Sequence, residues 1–357
     1  MSRKLKHQNK NLLKSIESEK NDLRILIRTA GGKETKEELG LGHVYRCLNL
    51  ASEMKPNKIH FLLEDFGGAK EIVKQQGFHN IQILKKRIQL KEDLKITKNY
   101  LKKKKIDLVI VDRYHVKIKY LIELKKYVRL VVISDLHNIE YPADLVVNGF
   151  IGFKNETKRN SYGSKCLLGP RYQIIDKRFS EKYSNIKPTY DLLVTVGGYD
   201  EKNIIDMFLK CVQPYITKIK TKIIVGPVGK KSKLTQTLEK KYPSRLKILK
   251  STKNMKKEIV FSKFGICSGG ITSYEFAAMK KPFAIICVIK HQLITATEWE
   301  KKGCALNFGM ATGTAKNRIS KFLQKIVEGN YQYRIKKRNI VDGKGVSRVS
   351  HEILKIR

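Results

Sequence analysis

The chain has 357 residues, of which 41% are hydrophobic, and this is enough for two globular domains with a core each. The composition excludes a collagen, a coiled coil and a wholly disordered chain. Lys and Arg number 74 against 33 Asp and Glu, a formal charge of +41. Of the 74 basic residues 16 are Arg and the Lys are spread end to end, so no specific nucleic-acid partner is expected. Weak attraction to an anionic membrane surface or an anionic substrate stays open.

No segment predicts a membrane span, a signal peptide or a metal site. The longest apolar run, residues 282–289, is shorter than the roughly 20 residues that cross a bilayer. Residues 1–22 are basic and polar without an apolar centre, which predicts a mobile extension on a cytoplasmic protein. The six cysteines contain no CxxC pair and are expected to be reduced core thiols. We therefore expect no cofactor and no metal.

Short apolar runs alternate with helical patterns along the chain, which is typical of βα units around parallel sheets. Val44, Cys47, Leu48 and Ala51, for example, have helical spacing and predict the buried stripe of a crossover helix. The predicted strands are 25–28, 59–63, 81–84, 108–111, 130–134 and 145–148 in a first series, and 192–196, 222–225, 246–249, 264–267 and 283–288 in a second.

The two series predict two similar domains. The expected limits are an N-terminal Rossmann-like domain at 23–170, a linker at 171–189, a C-terminal Rossmann-like domain at 190–330, and a basic, helical C-terminal segment at 331–357. Ligands of such folds bind beyond the carboxyl ends of the strands, so the substrate is expected in the cleft between the domains.

The first candidate motif follows the first predicted strand and contains Gly40, Gly42, His43 and Arg46. Glycine lets a ligand approach the backbone, and free N–H groups at a helix start favour anions. His43 and Arg46 are three residues apart and share a helix face, which is expected to turn away from the buried stripe. A neutral imidazole suits a general base. The alternative is a helix-capping histidine beside a solvated arginine.

The second candidate motif is a turn rich in glycine and hydroxyls after the strand 264–267. Its members are Ser268, Gly269, Gly270, Thr272, Ser273 and Glu275. Such a turn at a helix N-terminus suits a diphosphate, because backbone donors and the positive helix end face the anion. A carboxylate one turn into the helix can accept hydrogen bonds from a ribose diol. The alternative is helix capping, with Glu275 and Thr272 forming a capping box.

Further candidates lie at other predicted strand ends. They are Asp112 with Tyr114, Gly197 with Gly198, Ser134 with Asp135, and His291 with Gln292. Glycines at these ends suit contact with phosphate, and Asp112 or Tyr114 would orient a sugar or an attacking water. The alternatives are a plain turn for the glycine pair and a helix N-cap for Asp112.

The order of these motifs resembles one family over about residues 25–308. In chain order the motifs are Gly40-x-Gly42-His43-x-x-Arg46-Cys47-Leu48, Val111-Asp112-x-Tyr114, Leu168-Gly169-Pro170-x-Tyr172, Gly197-Gly198-x-Asp200, Asn254-Met255, Ser268-Gly269-Gly270-x-Thr272-x-x-Glu275, Lys281-Pro282 and Gln292. The set is similar to the UDP-sugar hydrolases of pseudaminic acid biosynthesis and their spore-coat polysaccharide relatives. The resemblance implies an α/β protein of the GT-B type, with two Rossmann-like domains facing each other across a cleft.

The resemblance also implies a reaction. Water would attack the anomeric carbon of a UDP-linked 2,4-diacetamido-2,4,6-trideoxyhexose without a metal and with inversion, releasing UDP and the free sugar for nonulosonic acid biosynthesis. His43 would activate the water and Tyr114 would help to position water or sugar. The 268–273 turn would hold the diphosphate, Glu275 the ribose, and the Asn254-Met255 loop would lie by the uracil.

Two departures from the family concern the sugar half of the site. His291-Gln292 stands where the family commonly has Asn-Gln, and Ser134-Asp135 where an Asp-Asp pair is frequent. The exact sugar and the oligomeric state stay open.

Two other functions compete with the hydrolase. A GT-B glycosyltransferase with a UDP-N-acetylhexosamine donor would share the histidine loop and the nucleotide domain, and would release UDP only with an acceptor. A non-catalytic polyanion binder would explain the charge, and its binding would fall steeply with salt.

Overall fold

The computed structural model describes residues 22–33, 40–114, 116–181, 183, 186–200, 202–331, 335 and 339–356. Within these ranges, strands and helices alternate around two sheets, as the βα pattern predicts. The basic extension expected at residues 1–22 lies outside the described residues, apart from Asp22.

The first half of the chain builds an eight-stranded sheet. Its strands are β1 (Arg24–Gly32), β2 (Lys58–Phe66), β3 (Ile81–Leu84), β4 (Leu108–Asp112), β5 (Arg129–Ile133), β6 (Leu145–Asn148), β7 (Glu156–Arg159) and β8 (Lys165–Leu168). They lie in the order β3-β2-β1-β4-β5-β6-β8-β7, and β7 alone is antiparallel to its neighbour. Its described helices are α1 (Gly42–Glu53), α2 (Ala69–Gln75), α3 (Leu90–Lys104) and α4 (Ile118–Lys125).

The second half builds a six-stranded parallel sheet. Its strands are β9 (Tyr190–Thr195), β10 (Thr221–Ile224), β11 (Leu246–Leu249), β12 (Ser262–Cys267), β13 (Phe283–Cys287) and β14 (Ala305–Met310), in the order β11-β10-β9-β12-β13-β14. Its described helices are α5 (Ile204–Val212), α6 (Lys233–Lys241), α7 (Met255–Val260), α8 (Ile271–Ala278), α9 (Gln292–Lys301) and α10 (Gly313–Val327). Short 3-10 helices occur at Pro170–Tyr172, Lys177–Ser180 and Gln213–Tyr215.

The sheets form because their strands are almost continuous apolar runs, as expected of parallel strands covered on both faces. Strand β4, for example, is buried along its whole length. The predicted stripe of Val44, Cys47, Leu48 and Ala51 is confirmed as the buried face of α1. The six cysteines are free and buried, as expected of core thiols. None of the described helices has the length and apolar character that a bilayer crossing needs.

All the predicted strands form, although β1 and β2 run longer than expected. The sequence did not predict β7, β8 and β14. Strand β7 is exposed along its whole length and contains no apolar residue, so no burial pattern marks it. Strand β8 has a single lysine before three buried residues, and β14 contains Asn307 and Gly309, which weaken the strand signal.

Two contacts join the halves away from the strand ends. Phe150 and Ile151, just after β6, pack into the core beneath the second sheet, and the Ile151 N–H donates to the Tyr274 hydroxyl at 3.0 Å. The C-terminal helix α11 (Gly345–Leu354) returns to the first half, where Val349 and Ile353 join the core that also contains α1. Both contacts bury apolar surface between the halves.

Replacing Ile353 by Ala should lower the free energy of unfolding by about 2–5 kcal/mol, because it leaves a cavity between α11 and α1. Ile353 is fully buried. Urea denaturation measures this effect. The control is Ile122→Ala on α4, where the side chain is 42% exposed and the expected change is within about 0.5 kcal/mol. Equal effects of the two substitutions would show that α11 does not stabilise the fold.

Candidate active site

A cleft of about 1470 Å³ lies between the two halves, at the carboxyl ends of the strands. The loops after β1, β4, β9, β12 and β13 line it, and they carry most of the residues singled out in the sequence. Among them are Gly40, Gly42, His43, Arg46, Tyr114, Gly197, Gly198, Met255, Ser268, Gly269, Gly270, Thr272, Glu275, His291 and Gln292. Asp112, Asn254 and Ser273 are not part of the cleft lining.

Arg46 is the most heavily bonded side chain of the cleft. Its Nε and Nη2 donate to the two carboxylate oxygens of Asp112 at 2.8 and 2.6 Å, and its Nη1 donates to Asp135 at 2.6 Å. The residue is 5% exposed, so the alternative of a solvated arginine is wrong. The reason lies in the strand order, since β4 and β5 end beside the start of α1. Asp112 binds Arg46 and is therefore not a helix N-cap.

His43 lies against the same carboxylate. Its Nδ1 is 2.6 Å from Asp112 Oδ1, and its side chain is 11% exposed. In the neutral ring, the contact with an ionised carboxylate, which can only accept, places the proton on Nδ1 and the lone pair on Nε2. Arg46 Nη2 lies 3.1 Å from the same Nδ1. None of the described residues hydrogen-bonds Nε2. His43 does not cap α1, whose N-cap residue is Leu41 and has no side-chain cap bond.

The surroundings of Asp112 keep it ionised. Burial on its own would raise the pKa of Asp112, but the charge of Arg46 and the hydrogen bonds from His43 and Arg46 hold that pKa well below its usual range. The Cys47 thiol also donates to Asp112, at 3.4 Å. Asp112 is thus a permanent acceptor behind His43.

Asp135, one of the candidates at a predicted strand end, belongs to this group. Its side chain is 46% exposed and lies just after β5. Against the effect of burial, the charge of Arg46 lowers the pKa of Asp135. It meets Arg46 because the carboxyl ends of neighbouring parallel strands lie at one edge of the sheet.

The turn after β12 faces this group across the cleft. Helix α8 begins at Ile271, and its N-cap residue is Gly270, which offers no side-chain cap. The expected capping box between Thr272 and Glu275 is therefore wrong, because Thr272 lies inside the first helical turn. First-turn amides lack acceptors within a helix, so this end presents backbone donors. A Cβ at Gly269 would lie 2.9 Å from Gln292 Cβ, which explains the glycine there.

Glu275 is half-buried in the cleft wall. Burial, together with the nearby charge of Asp176, raises the pKa of Glu275 to about 8, and Arg178 opposes this shift. A carboxyl group in this state is largely protonated at neutral pH. Tyr45 on α1 lines the cleft near it, and the sequence did not single out Tyr45.

Two residues that were predicted to bind the substrate, Ser273 and Asn254, do not line the cleft and make contacts within the protein instead. The Ser273 hydroxyl donates to the Gly270 carbonyl at 2.7 Å and accepts from Trp299 Nε1 at 3.1 Å, which fixes the turn from behind. The Asn254 side chain accepts from the Lys257 N–H at 3.0 Å and caps α7. Any contact of Asn254 with a ligand stays a prediction, whereas its neighbour Met255 lines the cleft.

The two halves approach each other closely at two further points. A Cβ at Gly198 would lie 2.6 Å from Leu41 Cδ1, so this glycine lets the halves meet beside the cleft. Gly197 has a φ of +98° and turns the chain at the same place. The Tyr114 hydroxyl is 2.7 Å from His291 Nδ1, and the side-chain Oε1 of Gln292 accepts from the Val288 N–H at 2.9 Å. Among the described residues, no group of three or more His, Cys, Asp or Glu could hold a metal ion.

Replacing Asp112 by Asn should change the acid dependence of stability. Because the pKa of Asp112 is depressed in the folded protein, its stabilising contribution is full above an unfolded-state pKa of about 3.9 and is lost as the pH falls below it. We expect the difference in free energy of unfolding between wild type and Asp112→Asn to shrink as the pH falls from about 5 to about 2 in urea titrations. Glu92→Gln, at an exposed carboxylate of α3, is the control. A constant difference would contradict the assignment.

Comparison with known sequences finds distant relatives. No family model matches the chain. The spore coat polysaccharide biosynthesis protein SpsG of Bacillus subtilis (strain 168) is 25% identical over 326 residues, which cover 88% of this chain and 94% of SpsG. The uncharacterized protein MJ1062 of Methanocaldococcus jannaschii is 26% identical over 279 residues, which cover 74% of this chain and 55% of MJ1062. The chain thus spans about half of MJ1062 and nearly all of SpsG.

Comparison of the structures identifies the fold. MurG of Acinetobacter baumannii superposes with a TM-score of 0.62 at 16% identity, covering 94% of this chain and 100% of MurG. The S. aureus MnaA–UDP complex superposes with a TM-score of 0.59 at 12% identity, covering 92% of this chain and 95% of the MnaA chain. The UDP-GlcNAc 2-epimerase of Neisseria meningitidis, bound to UDP-GlcNAc, superposes with a TM-score of 0.52 at 12% identity. The match covers 92% of this chain and 100% of the epimerase chain. The protein is a distant homologue of SpsG and has the GT-B fold predicted from its sequence.

Proposed function

We propose that the protein hydrolyses a UDP-linked 2,4-diacetamido-2,4,6-trideoxyhexose at the anomeric carbon, without a metal and with inversion. The products are UDP and the free sugar, for nonulosonic acid biosynthesis. The order of sequence motifs and the distant homology to a polysaccharide biosynthesis protein support this choice of substrate. The UDP and UDP-GlcNAc in two proteins of the same fold support a uridine nucleotide.

One observation carries the proposal: His43 faces the cleft with its Nδ1 committed to Asp112 at 2.6 Å. This contact leaves Nε2 as the basic nitrogen on the cleft side. Asp112 stays ionised beside Arg46, so it can stabilise the imidazolium that forms when His43 takes a proton. A non-catalytic polyanion binder would have no use for this arrangement.

The reaction follows from these groups. Nε2 of His43 accepts a proton from water while the water oxygen bonds to the anomeric carbon. The bond from that carbon to the β-phosphate oxygen breaks, and its electron pair leaves with UDP. Attack and departure take place on opposite faces of the sugar, which inverts the anomeric centre. Tyr114, whose ring centroid is 6.2 Å from that of His43, would position the water or the sugar.

The turn after β12 would hold the departing nucleotide. Backbone amides at the start of α8, with the hydroxyls of Ser268 and Thr272, suit the diphosphate and stabilise the charge that develops on UDP. Glu275, one turn into α8, would accept hydrogen bonds from the ribose diol. This arrangement supplies the leaving-group help that an acid or a metal gives in other sites.

The central test is UDP release from UDP-2,4-diacetamido-2,4,6-trideoxy-β-L-altrose, without acceptor or metal, by wild type and by His43→Ala. We expect the wild type to turn over and His43→Ala to lose about 10²–10⁴-fold in kcat, the range typical of a general base. UDP-N-acetylglucosamine serves as the comparison substrate.

The matched control for this test is His79→Ala, which removes an exposed histidine outside the cleft. Its kcat should equal that of the wild type. Comparable loss in both variants would remove the support for His43 as the base. Absence of turnover in wild type, with UDP still bound, would overturn the hydrolase proposal.

The raised pKa of Glu275 gives a second test. A diol donates to an ionised carboxylate, so UDP should bind more tightly as the pH rises toward the Glu275 pKa of about 8. Below that value the gain should approach tenfold in Kd per pH unit. Calorimetric titrations from about pH 6 to 9 measure how the Kd of UDP changes with pH. The part of this change that comes from Glu275 should be absent in Glu275→Gln. Identical slopes would exclude a contact between ionised Glu275 and the nucleotide.

A GT-B glycosyltransferase with a UDP-N-acetylhexosamine donor is the second candidate, and the size of the cleft favours it. The volume of about 1470 Å³ exceeds the roughly 300–1,000 Å³ of ordinary ligand pockets and leaves space for an acceptor beside the donor. UDP release that appears only after an acceptor is added would identify a transferase.

A further inference from the structure

A polar side-chain contact crosses the cleft next to His43. Tyr114 follows β4 in the first half, and His291 precedes α9 in the second. The Tyr114 hydroxyl lies 2.7 Å from His291 Nδ1, and the two ring centroids are 5.4 Å apart. Both side chains are half-buried in the cleft wall.

Each partner is attached to a rigid part of its own half. The neighbour of Tyr114, Arg113, donates to the buried Asp93 at 2.7 Å and pairs with the buried Glu64 at 3.3 Å. On the other side, the Gln292 side chain accepts from Val288, and the Gln292 N–H donates to the Ile289 carbonyl at 3.1 Å. The hydrogen bond therefore joins two fixed backbones, so it sets the distance between the halves at this point.

The apolar contact of Phe150 and Ile151 with the second half differs in kind. Phe150 and Ile151 are buried with Tyr274 in one apolar core, and their exposure does not exceed 5%. Separating them would expose apolar surface to water, whereas the Tyr114–His291 bond can exchange for bonds to water at little cost. Opening of the cleft should therefore break the polar contact first and pivot on the apolar one.

We infer that the Tyr114–His291 hydrogen bond is a latch, which holds the cleft closed and positions Tyr114 against His43. The bond forms with either tautomer of His291, because the hydroxyl can donate to a bare Nδ1 or accept from Nδ1–H. His291 is a positioning residue in this scheme. It acts through Tyr114, whose ring meets that of His43 edge to face at an interplanar angle of 73°.

A distance measurement tests the latch without any substrate. Spin labels at Lys102→Cys on α3 and Lys301→Cys on α9 report the separation of the halves, and both sites are exposed while the native cysteines are buried. We expect one narrow distance distribution for the otherwise unchanged protein. His291→Ala and Tyr114→Phe should broaden it toward longer distances. His291→Asn should restore it, since the Asn carboxamide puts a polar atom near the position of Nδ1.

Lys290→Ala is the matched control, because Lys290 is the exposed neighbour of His291 and does not line the cleft. Its distribution should equal that of the parent protein. An unchanged distribution in His291→Ala would overturn the latch.

The positioning role rests on the proposed hydrolysis and has its own readout. His291→Ala should lower kcat/KM for the UDP-sugar by about fivefold, the value of one net hydrogen bond. Adding Tyr114→Phe to His291→Ala should cost little more than Tyr114→Phe alone, because both substitutions break the same bond. Independent, multiplicative losses would overturn the positioning role. If even the wild type releases no UDP, the hydrolysis fails while the distance measurement still decides the latch.

Discussion

The arrangement of the cleft depends on one buried cation, the guanidinium of Arg46. It pairs with both Asp112 and Asp135, which lie at the carboxyl ends of two neighbouring strands, and so fixes the start of α1 against the sheet. A buried carboxylate without such a partner would take up a proton. Protonated Asp112 would offer a donor to His43 Nδ1, and the imidazole would no longer keep its free nitrogen on the cleft side. The state of His43 is thus set by a residue that need not touch a substrate.

The two halves contribute different chemistry to the cleft. The first half supplies titratable side chains with fixed protonation and orientation, His43 and Asp112 above all. The second half supplies backbone donors at the start of α8 and the half-buried Glu275. The glycine at position 198 leaves the space in which these surfaces come together, since a Cβ there would overlap Leu41 of the first half. Closure of the cleft therefore brings together the groups that the two halves supply for the chemistry, in addition to packing the halves against each other.

The sequence predicted the fold well because the strands are apolar runs and α1 has a regular buried stripe. Most of the residues that it singled out line the cleft, because strand ends of parallel sheets meet at one edge. It did not predict the ion pairs of Arg46, since spacing along a helix defines a face and not the neighbour that covers it. The pairing with Asp112 and Asp135 depends on β1, β4 and β5 being adjacent, which is a property of tertiary order.

The contact between Tyr114 and His291 lay beyond sequence reasoning for the same reason, as 177 residues separate the partners. The capping box of Thr272 and Glu275, the alternative that the sequence offered, does not form either. Its residues have the right spacing, but α8 begins one residue before Thr272, so neither side chain is at a cap position. Local patterns predict elements, and errors of one residue in a boundary are enough to change the role of a side chain.

The pairing of cations in the cleft indicates how the net charge of the protein would affect a ligand. Most cations of the lining are already paired: Arg46 with two carboxylates, Arg113 with Asp93 and Glu64, Arg178 with Asp176, and Lys256 with Glu181. In the proposed function, the diphosphate is bound by neutral donors, the amides and hydroxyls at the start of α8. The excess of +41 acts at longer range, where it raises the local concentration of anions. Salt should then weaken the encounter with a nucleotide far more than the contacts of the bound state, because screening reaches solvent-exposed charges first.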